Sequence, residues 1–283
     1  MRSASYVRPM TTSEVYAAAF ELYRRCFRPL LAINFIYTVL VIVLNYLNRP
    51  GVLRLGPTLA ILTELVQIYI YAVVVIAASN AVLGRPVRVA PAFQRAAAPR
   101  ALAKMLVFAL PLPLARLLYL AFFPAATATL TLAAYVGGGL AIFLVMFVFR
   151  IFFLFAAPVS VLEKRGLLAT VRRVVRLSAA FALPNFWRYG LFFVPFQALR
   201  ALASVVLVAG FLLGTGPTAT IDDLSLFLLQ QIPLGLVILF LNPLRNLVAT
   251  LLYYDARARQ EGYDREVLAE EMGYQPLTEL ITA

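Results

Sequence analysis

Arg116, Arg150, Arg200 and Arg245 each interrupt a different long apolar run, and the only carboxylate comparably placed is Glu64. A charged arginine at the centre of a bilayer costs roughly 2.5–3.5 kcal/mol on insertion scales. A chain that carries four must pair them, hydrate them or offer them to an anion. The planar guanidinium fork matches phosphate and carboxylate, so the set could hold lipid phosphate or line an anion path. The plainer reading is that some snorkel to the headgroup layer and others pair internally. By count Arg200 is the deepest. Glu64 shares roughly one helical face with Gln67 and Tyr71. It reads either as a counter-ion to one of these arginines or as a carboxylate that couples to a proton or ion.

Other chemistry is thinly represented. Histidine is absent and Cys26 is the only cysteine, which leaves no Cys/His metal site and no disulfide within the chain. No nucleophile has a histidine base, and no glycine-rich segment ends in Gly-Lys-Ser/Thr. Asp255, Glu261 and Asp264 are not spaced like a metal loop. The sequence therefore predicts no catalytic residue, no metal and no cofactor.

The elements that must position these residues are membrane helices. The chain of 283 residues is 63% hydrophobic and only 13% charged, with a mean hydropathy of +0.87. That is far above the apolar share of a soluble domain. Apolar runs of spanning length fall at 30–47, 59–83, 102–122, 130–156, 186–213 and 224–254. Pro111 and Pro113 should kink the third. The expected fold is all-α, a polytopic helical bundle of about six transmembrane helices forming one integral membrane domain over 1–283. The first 28 residues lack the apolar core of a signal peptide.

Orientation follows from the basic residues. One side carries the N-terminal arginines, the loops around 85–104 and 164–188, and Arg257, Arg259 and Arg265. The other carries only Arg49 and Arg54, with Asp222 and Asp223 in its last loop. Both termini are expected in the cytoplasm. This topology also accounts for the net charge of +12, so nucleic acid is not an expected partner.

Three basic amphipathic stretches, 13–28, 89–98 and 167–181, precede Pro29, Pro99 and Pro184. Proline suits the first turn of a helix, so each plausibly separates an interfacial helix from the next span. With the paired spans that follow, this suggests a threefold helix-hairpin repeat. Thr11 with Glu14 fits a capping box, and Tyr16, Phe20, Tyr23 and Phe27 recur at helical spacing. Leu167, Val171, Val174 and Val175 are read as one face of the third stretch. Arg172, Arg173 and Arg176 are read as its basic membrane surface. Gly137, Gly138 and Gly139 would let a second helix approach the fourth span closely.

The end of the last span and the tail 255–283 carry a more distinctive pattern. Tyr253 and Tyr254 suit an interfacial belt. Asp255 and Arg259 stand four apart in the favourable order. Gly262 can end the helix in a left-handed conformation, and Asp264 can cap a following short helix. These features read as a structural clamp that folds the tail under the bundle.

The run TLLYYDARARQEGYD, Thr250 to Asp264, resembles the terminal signature of a prokaryotic family. That family is named for the membrane domain attached to some glycerophosphoryl diester phosphodiesterases. TSEVYAAAFELYR from Thr12, PVSVLEKRG from Pro158 to Gly166, and Phe186-Trp187-Arg188 are similar to other parts of it. The resemblance implies a multispanning topology in a prokaryotic inner membrane. It does not imply the phosphodiesterase reaction, whose histidines and metal-binding acids lie in a separate soluble barrel for which these residues have no room. The expected function is that of a non-catalytic accessory or scaffold component. It would engage anionic lipids, a membrane protein partner or further copies of itself. The alternative is a transporter or channel for a small anion.

Overall fold

The computed structural model describes residues 6–47, 56–109, 154–180, 187–191, 193–195, 198–199, 202 and 223–264. Among the described residues every regular element is helical. They are α1 (Thr12–Arg25), α2 (Phe27–Leu47), α3 (Gly56–Val82), α4 (Val89–Ala96), α5 (Pro99–Ala109), α6 (Ala156–Leu162), α7 (Leu167–Ala180) and α8 (Asp223–Glu261). Among the described residues three stretches are long and apolar enough to cross a membrane: Phe27–Leu47, Leu65–Val82 and Gln231–Glu261. They correspond to the first, second and last of the six expected spans. Of the other three, the third begins as α5 and the fifth as the helical residues 187–191. Most of their lengths, the greater part of the fourth, and Gly137 to Gly139 lie outside the described residues.

α3 is the central helix. Residues 72–78 are all 2% exposed or less, as expected of a helix apolar all round and enclosed by others. α2 has two faces. Leu30, Ile33, Asn34, Tyr37 and Thr38 face inward, while Phe35, Val39, Val43 and Tyr46 remain exposed. The helical residues from 187 onward divide in the same way, with Tyr189 and Phe193 buried and Trp187, Leu191 and Val194 exposed. Exposed large apolar residues in continuous stripes suit a bilayer environment.

α8 joins the layers. In its N-terminal half Gly235 allows a close approach to α2, since a Cβ there would stand 3.0 Å from Thr38 Cγ2 and 3.2 Å from Ile42 Cδ1. Hydrogen bonds between spans reinforce this seam. Asn45 Nδ2 donates to Gln231 Oε1 (3.2 Å), and Asn242 Nδ2 donates to Asn34 Oδ1 (3.0 Å). Pro233 and Pro243 lie inside α8. A helical proline removes one N–H and disturbs the preceding turn. Next to the turn disturbed by Pro243, the Tyr23 hydroxyl from α1 donates to the Phe240 carbonyl at 2.8 Å.

The expected capping box is present, with Thr11 accepting from the Glu14 amide and Glu14 accepting from the Thr11 amide. Pro99 opens α5 as expected. Pro29 falls in the first turn of α2, as expected, although it is not the residue that opens the helix. The break falls at Cys26, whose N–H bonds the Leu22 carbonyl, and Pro29 is the third residue of the next helix. A proline within the first turn forfeits no intrahelical bond, so position three serves as well as position one. Pro184 lies outside the described residues. The end of the expected fourth span is also corrected: residues 154–155 form a turn and α6 is a separate short helix.

Candidate functional site

The C-terminal end of α8 gathers charge from four distant parts of the chain. Asp255 is 1% exposed. Its Oδ1 accepts from the Met10 amide at 2.7 Å and from Arg259 Nε at 3.0 Å, and its Oδ2 accepts from Arg188 Nη1 at 2.6 Å. Both arginines then donate to the Met10 carbonyl, Arg259 through Nη2 at 2.8 Å and Arg188 through its own Nη2. The Tyr16 hydroxyl holds the Arg188 carbonyl. A carboxylate this deeply buried needs such partners, because an unpaired charge would carry its full desolvation cost.

A second cluster lies one to two turns along α8. Arg173 from α7 is 4% exposed. It donates through both terminal nitrogens to Glu261 and through Nε to Glu163 Oε1 at 3.2 Å. Glu163 also accepts from the Tyr253 hydroxyl at 2.9 Å and pairs with Arg165. Lys104 Nζ lies against the Glu163 and Ser160 carbonyls at 3.1 and 3.4 Å, where its charge offsets the negative end of α6. Burial works against the Arg173 charge, and the hydrogen bonds and charges of Glu261 and Glu163 outweigh it, so its pKa is raised. Arg257 pairs with Glu261 at 3.2 Å and lies over the Tyr263 ring, 3.6 Å from its centroid.

Gly262 closes α8 with φ 64°, and its N–H bonds the Ala258 carbonyl at 3.2 Å. Only a residue without a Cβ adopts that conformation at little cost. The left-handed turn swings Tyr263 back to stack on Tyr254 at 5.9 Å between centroids. The expected Asp255–Arg259 pair and glycine terminus are therefore present. The expected aromatic belt is not. Tyr253 and Tyr254 are 0% and 3% exposed, and the Tyr254 hydroxyl pairs with Ser79 on α3 at 2.7 Å. Both hydroxyls find partners inside the protein, so neither ring needs the headgroup layer to satisfy its polar end. Asp264 is described, but the residues it is expected to cap lie outside the described ones.

The basic face of α7 is corrected in the same way. The inward face consists of Thr170, Arg173, Val174, Leu177 and Ser178. Leu167 and Val175 are exposed instead, although Val174 packs inward as expected. Arg172 and Arg176 do lie on the surface. Arg173 is separated from them because two carboxylates outside α7 neutralise it.

On the outward faces a common spacing appears. Phe20 and Arg24 stand four apart on α1, and Arg28 is exposed beyond the break at Cys26; Leu168, Arg172, Val175 and Arg176 occupy positions i, i+4, i+7 and i+8 on α7. Phe20 is 52% exposed and Leu168 83%. Arg24, Arg28 and Arg172 reach no carboxylate among the described residues, and Arg176 comes only to 3.7 Å from Glu261.

Of the four arginines in apolar runs, Arg245 alone is described. It is half-buried on α8, beside Asn246, which is 1% exposed. Arg116, Arg150 and Arg200 lie outside the described residues, as does the side chain of Glu64. Sequence reasoning missed the buried roles of Glu163, Arg173, Arg188 and Lys104. Glu163 and Arg188 stood inside quoted motifs, but nothing in their spacing links them to residues of α8 far along the chain. No protein-family model matches the chain, and no curated protein or solved structure matches it.

Proposed function

We propose that this chain is a non-catalytic, multispanning protein of a prokaryotic inner membrane with both termini in the cytoplasm. It acts as an accessory or scaffold component, and its cytoplasmic helices hold anionic lipid headgroups. The supporting observation is an outward pattern that α1 and α7 share, an exposed apolar side chain four residues before an exposed arginine. Phe20 precedes Arg24 and Leu168 precedes Arg172 in this way, and neither arginine reaches a carboxylate among the described residues. A helix of this kind lies at the headgroup boundary, apolar residues among acyl chains and guanidinium groups against phosphate. The basic residues outnumber the acids by 25 to 13. Glu14, Glu21, Glu163, Asp255 and Glu261 each pair with an arginine within the protein. The surplus positive charge is left for a partner from outside.

The test is native mass spectrometry of protein released from nanodiscs that contain both zwitterionic and anionic lipid. Wild type should retain anionic lipid, and Arg24→Gln with Arg172→Gln should retain much less. Equal retention by wild type and variant would remove these arginines from the reading. A bare protein that instead moves a small anion across reconstituted vesicles would favour the transport alternative. Arg200→Leu and Glu64→Gln should then change the flux.

A further inference from the structure

The residues around Met10 form a closed ring that is chemically incomplete without a peptide group. Asp255 offers a carboxylate, while Arg188 and Arg259 bring two guanidinium groups to it. One carboxylate cannot occupy every donor of two such forks. Arg188 Nη2 and Arg259 Nη2 are left to find another acceptor, and they share the Met10 carbonyl. Asp255 Oδ1 keeps acceptor capacity, which the Met10 amide fills at 2.7 Å. The site therefore requires one acceptor and one donor held a residue's width apart, which is what a single residue of backbone supplies. Two apolar side chains of the same segment are also enclosed, Val7 at 1% and Met10 at 2% exposure.

The segment that fills this site has little structure of its own. Residues 6–11 form bends and irregular backbone before α1 begins. Its grip comes from residues 178 and 245 positions away. Asp255 and Arg259 are fixed on the last span, and Arg188 stands at the start of the fifth. The ring therefore cannot close until both are in place.

We propose that Asp255, Arg188 and Arg259 form a peptide-binding site whose ligand is the chain's own segment 7–11, seated as a latch once the last span has packed. The ligand class is a short irregular peptide that offers one residue's N–H and C=O to the ring and carries apolar side chains three residues apart, Arg8 between them pairing with Glu14 outside the site. The latch ties the start of α1 to the end of α8 and is independent of any lipid contact.

The test uses a variant lacking residues 1–10, reconstituted in nanodiscs, and a fluorescent synthetic peptide of residues 1–14. The truncated protein should bind the peptide saturably. The full-length protein, with its own segment seated, and the truncated Asp255→Asn variant should each bind roughly tenfold more weakly or less, since charge-assisted hydrogen bonds are lost or already occupied. Equal binding to all three, or none to a truncated protein that retains its helical content, would overturn the proposal. If truncation prevents folding, hydrogen exchange on full-length protein decides. Asp255→Asn should speed exchange of the Met10 amide roughly tenfold or more while residues 72–78 stay protected. Unchanged exchange at Met10, or equal loosening of the central helix, would refute a separable latch.

Discussion

Arg172 and Arg173 are adjacent in sequence and opposite in circumstance. Arg173 points into the protein and binds two carboxylates from outside its helix, while Arg172 points outward and meets none among the described residues. The same division separates Arg188 and Arg259, held around Asp255, from Arg24 and Arg28. Arginine is abundant here and carboxylates are scarce, so the acids decide which arginines become structural. The two faces should therefore respond differently to the same substitution.

The largest effect should come from Arg173→Leu. Breaking a buried ion pair by removing one partner typically costs about 3–5 kcal/mol, because the other charge is left buried. Glu261 keeps Arg257 and Glu163 keeps Arg165, so the lower end of that range is expected. Arg172→Leu should change stability by no more than about 0.5 kcal/mol, as at ordinary surface positions. Reversible unfolding of both variants in the same micelles would check this, and equal losses would erase the distinction between faces.

That distinction was not legible in the sequence. The basic amphipathic pattern locates α7 within one residue of its observed end, and the length of continuous apolar runs places the spans that became α2, α3 and α8. Period alone does not say which face is inward when an arginine sits on it. Leu167 and Val175 look like core residues, and Arg173 looks like surface, until Glu163 and Glu261 are brought alongside. Local chemistry was easier to read. The Thr11–Glu14 box, the Asp255–Arg259 pair and the left-handed Gly262 each depend on residues within a few positions. Tyr254 was misread because its partner, Ser79, lies 175 positions away. Fold elements and their caps are short-range properties, whereas the identity of a buried charge is a long-range one.

A packing substitution of intermediate size separates charge from fit. Gly235→Val would drive new methyl groups into Thr38 and Ile42, already 3.0 and 3.2 Å from a bare Cβ. Overpacking costs typically about 1–3 kcal/mol. Gly235→Ala should cost less, since alanine gains about 1 kcal/mol of helix propensity over glycine. The same unfolding assay reads both. A stabilised valine variant would mean that α2 and α8 pack less closely here. Neither variant should alter lipid retention, whereas Arg172→Gln with Arg176→Gln should weaken anionic-lipid binding by about 1 kcal/mol per arginine with little change in stability. Retention from nanodiscs of fixed composition is the measurement, and a stability loss without lipid loss would move these arginines to the structural side of the comparison.

The smallest effect tests an acid whose pairing is local and exposed. The Thr11 backbone N–H, the Arg8 guanidinium and the Thr11 hydroxyl hold the Glu14 carboxyl down to about 2, from an ordinary value of 4.5. A depressed folded-state pKa means that the charged form is favoured by folding. Its contribution is complete above the unfolded value near 4.5 and disappears as pH falls through about 2. Glu14→Gln preserves the shape of the capping box, because glutamine can also accept the Thr11 amide, but it cannot titrate. At neutral pH the two proteins should therefore differ slightly, with the carboxylate form protecting the Thr11 amide better. The difference should shrink between pH 4.5 and 2 and vanish below that window. Amide protection factors, corrected for intrinsic exchange at each pH, read this directly. A difference that persists at the acid end would assign the effect to side-chain shape, and one absent throughout would show that Arg8 and Thr11 contribute nothing through the charge of Glu14.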